Sequence, residues 1–193
     1  MAKRKYEFRP DRPQVSFLNK LYLTRQQRMT LLRWLLYTVL LVVLSVVQDV
    51  VLCQVNILTS TTDLVPCAII LICVQLGAER CSIFALIAAL LYKFTGTAPG
   101  YHVVAMIPLL GITAAALRQS FFRRSFSSVI LCAGIATVIY EMGIFAVGLL
   151  FQHTIPERGL SFLVTAGLSV LIYPVLYPLT KAIDKIGDKT WKE

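Results

Sequence analysis

Twenty consecutive residues, from Trp34 to Cys53, contain a single charged side chain, that of Asp49. As an α-helix this run is about 30 Å long, which matches the hydrocarbon core of a bilayer. The run therefore predicts a transmembrane helix, with Trp34 and Tyr37 in the aromatic belt at one membrane surface. No small-residue cleavage site follows the run, so we do not expect a cleaved signal peptide.

Five further apolar runs follow the first, at residues 64–77, 81–94, 101–117, 128–151 and 160–179. The pattern predicts an all-α membrane protein whose six transmembrane helices occupy residues 34–179, between a basic N-terminal tail (1–33) and a basic amphipathic C-terminal tail (180–193). Of all residues 57% are hydrophobic and only 15% are charged, against about 25% charged in soluble domains. This composition excludes a disordered chain, a disulfide-stapled secreted domain and an ordinary cytosolic enzyme.

The second and third runs could instead form one helix over residues 64–94. Such a helix would be about 46 Å long and would bury Glu79 and Arg80 near the middle of the membrane, which is costly. We therefore expect two short helices of about 21 Å each, with Glu79 and Arg80 in a tight turn between them.

The basic residues are distributed very unevenly between the two ends of such a bundle. With six crossings, 17 of the 19 lysines and arginines fall on the side of both termini, and only Lys93 and Arg158 fall on the other. The positive-inside rule then places both termini in the cytoplasm. The basic tails are expected to contact anionic lipid at the cytoplasmic face rather than nucleic acid. The segment from Leu179 and the stretch from Ser16 are each interpreted either as an amphipathic helix on the membrane surface or as a solvated segment.

Patterns typical of catalysis and of cofactor binding are absent from the sequence. It contains no P-loop, no H-E-x-x-H and no G-x-S-x-G, and its two histidines lack partners at metal-ligand spacing. None of the five cysteines forms a C-x-x-C pair, so we expect neither a zinc site nor a disulfide framework. We therefore predict a protein that is not an enzyme and that has no cofactor.

Five polar residues are predicted to lie in the outer half of the bundle: Gln48, Asp49, Lys93, His102 and Glu141. Glu141 is the acid placed deepest within a helix, and an ionisable group at that depth is a candidate functional residue. In one interpretation the five form a polar lock between helices, with Glu141 protonated or paired with Lys93. In the other they bind a ligand or a partner helix.

Small residues recur at the spacing that lets membrane helices approach closely. The cases are Ala85 with Ala89, Gly111 with Ala115, Ala133 with Thr137, and Gly167 near Ser161 and Thr165. We expect these positions to mark helix contacts, either within the bundle or with partners.

Several segments resemble the rod shape-determining protein MreD family. They are Leu44–Gln48, Asp63–Pro66, the charged turn Gly77–Arg80, and the loop Leu90–Gly100, in which Lys93 stands where the family usually has an aspartate. The resemblance implies a non-enzymatic scaffold of the bacterial cell-wall elongation complex in the plasma membrane. Its implied partners are an MreC-like single-pass membrane protein, the MreB filament, and RodA with its transpeptidase. The implied fold is similar to that of the substrate-binding subunits of energy-coupling-factor transporters.

That similarity of fold supplies the main alternative, a vitamin-binding or small-molecule-binding transporter subunit. In this alternative the five outer polar residues would contact the ligand. The first helix argues against it, because residues 34–47 contain no alanine or glycine, whereas those subunits resemble one another in a small-residue face that docks the energising module. A membrane-embedded enzyme acting on lipid through Glu141 is a third alternative, for which the sequence offers no second catalytic group.

Overall fold

The predicted apolar runs form six helices in the computed structural model, which describes residues 25–52, 62–96, 98–121 and 125–188. A π-helical turn, Gln48–Leu52, continues the first helix, and a 3-10 turn, Pro156–Arg158, precedes the last. The described residues include no strand, which confirms the all-α class. The stretch from Ser16 to residue 24, the loop 53–61 with Cys53, and the end of the C-terminal tail lie outside the described residues. The helices are α1 (Arg25–Val47), α2 (Leu64–Leu76), α3 (Ala78–Phe94), α4 (Val103–Phe121), α5 (Phe126–Leu150) and α6 (Gly159–Asp188).

Four of these helices are long and apolar enough to cross a membrane, namely α1, α4, α5 and α6. This identifies the chain as a membrane protein. The other two helices are shorter, with 13 residues in α2 and 17 in α3, or about 20 Å and 26 Å of helix.

The short helix α2 occupies the centre of the bundle. Every residue from Leu64 to Val74 is buried, and α2 contacts each of the other five helices. A helix that is hydrophobic all round needs this position, because no side of it is suited to water.

The turn between α2 and α3 confirms two helices rather than one long helix. Gly77 has a φ of +90°, a conformation that glycine adopts without the steric cost of a Cβ. Glu79 and Arg80, which were predicted to form the turn, instead lie in the first turn of α3. One residue with a positive φ is sufficient to reverse the direction of the chain, so α3 begins directly after Gly77.

The six helices alternate in direction along the bundle axis. Arg33, Arg80, Arg118 and Lys181 all line one cavity, and two helices separate each of these residues from the next along the chain. Between one of these residues and the next, the chain therefore runs away from this end of the bundle along one helix and back to it along the following one. We call it the basic end, and the opposite one the far end.

The last helix differs from the sequence prediction, because α6 continues without a break to Asp188. Thr180 is fully buried, and its Oγ1 accepts a hydrogen bond from Nε2 of Gln75 at 2.8 Å. Farther along, Asp184 forms an ion pair with Arg33 at 3.2 Å. These contacts hold the first part of the predicted tail against the bundle. At the other terminus, α1 begins nine residues before the predicted Trp34, at Arg25.

Candidate functional site: a buried pair of carboxyl groups

The side chain of Gln48 caps the central helix. Gln48 lies in the π-helical turn after α1 and is buried. Its Oε1 accepts a hydrogen bond from the backbone N–H of Val65 at 2.9 Å. The first N–H groups of a helix have no partner within the helix, so Gln48 satisfies one of them from a neighbouring helix. π-helical turns are rare, and they often occur where a helix positions a side chain for a particular role.

Asp63 immediately precedes α2 but does not cap it with its side chain. Because Gln48 supplies a cap, the Asp63 carboxyl group is free to face α5. There it lies close enough to the carboxyl group of Glu141 for the two to interact electrostatically. Glu141 is only 1% exposed, whereas Asp63 is partly exposed at the far end of the bundle.

The proximity of the two carboxyl groups favours a shared proton. Two neighbouring carboxylates at a largely buried site would repel each other strongly, and a proton on one of them removes this repulsion. The N-terminus of α2 presents the positive end of its helix dipole, which favours the one remaining negative charge. Asp63 precedes the helix, and partial desolvation raises its pKa above the ordinary value for an aspartate.

Further buried polar groups connect α5 and α6 near the pair. Oη of Tyr173 donates to the backbone carbonyl of Ala133 at 3.2 Å and is also hydrogen-bonded to the hydroxyl of Thr137. Within the described part of the chain, Oη of Tyr140 and Oε1 of Glu141 are buried without a hydrogen-bond partner. With Gln48 and Asp63, this cluster joins α1, α2, α5 and α6, as a polar lock would.

Two of the five predicted site residues, Gln48 and Glu141, interact with residues at the start of α2, namely Val65 and Asp63 respectively. Asp49 is exposed on the π-helical turn. The ammonium group of Lys93 lies 4.3 Å from the ring centroid of Tyr101. The ring of His102 packs beside Gly100, where an added Cβ would lie 2.5 Å from its Cε1 atom. The contacts of Lys93 and His102 are with Tyr101 and Gly100 rather than with Gln48 or Glu141.

The proposed pairing of Glu141 with Lys93 is not seen, since the described residues show no ion pair between them. The partner of Glu141 is Asp63, which the sequence analysis did not select as a site residue. The position of Asp63 in the sequence could have indicated this role. A carboxyl group at the start of a short, strongly apolar helix is poorly placed to contact solvent. Neither a metal-binding group of His, Cys, Asp and Glu nor a disulfide occurs within the described ranges, where Cys67, Cys73, Cys81 and Cys132 are buried and free.

The raised pKa of Asp63 predicts how stability depends on pH. Because the pKa of Asp63 is raised, the folded protein holds a proton on it at weakly acidic pH, where the unfolded chain has released one. The contribution of this group to stability is therefore present at low pH and falls as the pH rises above the ordinary pKa of an aspartate. We expect Asp63→Asn to flatten the stability profile over this acidic range, measured by thermal unfolding in detergent at a series of pH values. An unchanged slope in this variant would contradict the assignment.

Comparison of the chain with family models, with curated proteins and with solved structures finds no match in any of the three.

Proposed function

We propose that the chain is a non-enzymatic scaffold subunit of the bacterial cell-wall elongation complex, with six crossings of the plasma membrane and both termini in the cytoplasm. It acts by binding partner membrane proteins through its helix faces. The partners are those that the resemblance to the MreD family implies: an MreC-like single-pass protein, RodA with its transpeptidase, and the MreB filament. The fold is proposed to resemble that of energy-coupling-factor substrate-binding subunits.

The alternation of the helices supports six crossings. All six run between the basic end and the far end, and α2, although short, is shielded on all sides by the other helices. The convergence of Arg33, Arg80, Arg118 and Lys181 at one end supports a cytoplasmic basic end by the positive-inside rule.

The observation that carries the scaffold proposal is an open apolar groove between α5 and α6. Its volume is about 780 Å³. At Gly134, an added Cβ would lie 3.6 Å from the nearest methyl groups of Val170, so a glycine forms part of the groove floor. Small residues at such a surface allow another membrane helix to approach closely. The groove is lined by Phe126, Ser127, Ile130, Leu131, Gly134, Ile135, Val138, Ile139 and Val170.

The buried carboxyl pair fits the same proposal. Its two members interact with each other, and neither of them lines this groove. The surface that is shaped for a partner is therefore apolar. Its proposed occupant is the single transmembrane helix of the MreC-like protein.

A test is to fill the groove and measure what co-purifies with the tagged chain from its native membranes. Ile135→Trp places a large side chain in the groove, while Leu171→Trp makes the same change on a face of α6 that does not line it. We expect Ile135→Trp to reduce recovery of the MreC-like protein about tenfold, since overpacking costs about 1–3 kcal/mol. Leu171→Trp should leave recovery unchanged. Equal recovery with both variants, or no such protein with the unmodified chain, would refute the proposal.

A further inference from the structure

The basic end contains a cavity to which all six helices contribute. Its volume is about 370 Å³. Its charged lining residues are Arg33 on α1, Arg80 on α3, Arg118 on α4, and Lys181 and Asp184 on α6. Four cationic groups face a single carboxylate, so the cavity has an excess of positive charge.

Arg33, which lines this cavity, carries an unsatisfied donor on its guanidinium group. Arg33 is 8% exposed, and its Nη1 donates to Asp184 at 3.2 Å. Its Nε is buried and lacks a hydrogen-bond partner among the described residues. A buried charged donor without an acceptor is costly, and an oxygen atom of an anion in the cavity would supply the acceptor.

The ligand chemistry that suits this lining is a phosphate group. Arginine presents a planar set of donors that matches phosphate oxygens, and lysine adds a point charge. Basic cavities between membrane helices on the cytoplasmic side are sites for phospholipid headgroups.

A second groove has lining residues that directly follow those of the cavity along α1 and α3, and it indicates that the phosphate belongs to a lipid. It lies between α1 and α3, has a volume of about 250 Å³, and is lined mainly by apolar side chains that include Trp34, Leu41, Ile83 and Ile87. On α1 its lining begins one residue after Arg33, and on α3 it begins three residues after Arg80. An acyl chain in this groove would have its headgroup at the cavity.

We propose that the cavity at the basic end binds the phosphate group of one anionic phospholipid, with an acyl chain of that lipid in the groove between α1 and α3. This site is independent of the α5–α6 groove, so it stands whether or not the partner helix binds there. It differs from general attraction of the basic tails to the membrane, because it requires particular side chains on the helices.

The test uses the purified full chain in nanodiscs of neutral phosphatidylcholine, with and without phosphatidylglycerol. Thermal unfolding reports stabilisation by the lipid, and native mass spectrometry counts the lipids that remain bound. We expect phosphatidylglycerol to raise the unfolding temperature and one such lipid to be retained. Arg33→Gln, Arg80→Gln and Lys181→Gln should each weaken this binding about tenfold, as loss of one charge-assisted hydrogen bond does.

Matched variants separate the cavity from the general basic surface. Arg28→Gln on α1 and Lys185→Gln on α6 remove the same charges at exposed positions that do not line the cavity. They should bind as the unmodified chain does, and equal weakening in cavity and control variants would overturn the proposal. If Arg33→Gln fails to fold because it loses its pair with Asp184, the exposed Arg80 and Lys181 still provide the test.

A second pair of variants distinguishes a lipid from a soluble phosphate compound. Ile87→Trp fills the α1–α3 groove, whereas Leu86→Trp is a neighbouring, equally exposed control outside it. We expect Ile87→Trp alone to weaken binding of phosphatidylglycerol. Inorganic phosphate or pyrophosphate added to the neutral nanodiscs should stabilise the chain less than the lipid does. Equal stabilisation by these soluble anions, with no effect of Ile87→Trp, would overturn the assignment to a lipid.

Discussion

Replacing Glu141 by alanine is expected to lower the free energy of unfolding by about 2–4 kcal/mol. The variant loses the interaction between the two carboxyl groups and opens a cavity at a site that is 1% exposed. Unfolding of the purified protein in mild detergent, followed by circular dichroism, measures the effect. Glu157→Ala is the control, because Glu157 is an exposed glutamate at the same end of the bundle.

The chemistry of the pair makes a second variant informative. Glu141→Gln keeps the size of the side chain and can still donate to or accept from Asp63, so we expect it to retain most of the stability that Glu141→Ala loses. A double-mutant cycle with Asp63→Ala should give a coupling free energy of about 1 kcal/mol or more, as for contacting residues in one polar network. Additive effects of Asp63→Ala and Glu141→Ala would show that the two carboxyl groups do not interact.

Replacing Gly111 by valine is expected to destabilise the protein by about 1–3 kcal/mol through overpacking. An added Cβ at Gly111 would lie 3.1 Å from Sγ and 3.2 Å from Cβ of Cys73, and 3.6 Å from Sγ of Cys81. Because Cys73 lies on the fully enclosed helix α2, the valine would force α4 away from the centre of the bundle. The unfolding temperature in detergent measures this loss.

Gly167 supplies the matched control for this prediction. It is also a helical glycine, yet an added Cβ there would meet nothing within 4 Å. Gly167→Val should therefore change the unfolding temperature little. If both variants are destabilised equally, the cost arises from helix propensity or from the detergent environment, and the proposed close contact of α4 with α2 is wrong.

The positions of the helices could be predicted from the sequence with few exceptions. Long apolar runs bounded by charges can lie across a bilayer only as helices, since every backbone group must be satisfied within the segment. The two short helices α2 and α3 could also be predicted, because a single helix in their place would bury Glu79 and Arg80 in the membrane. Helix ends were less predictable, because α6 continues past its prolines where Thr180 and Asp184 find partners.

The small-residue pattern identified both Gly111 and Gly167, although only Gly111 lies against a neighbouring helix. Spacing along one helix repeats every turn and does not indicate which face meets another helix. The rotation of each helix about its axis depends on how all six pack together.

The sequence by itself determined that this chain is a bundle of apolar helices with its positive charge concentrated at one end, because hydrophobic length and charge position are local properties. Tertiary structure alone decided that Asp63 rather than Lys93 meets Glu141, and that residues from all six helices enclose one basic cavity. Side chains separated by dozens of residues become neighbours only through the angle and rotation at which the helices pack, and the pattern of each run does not specify these.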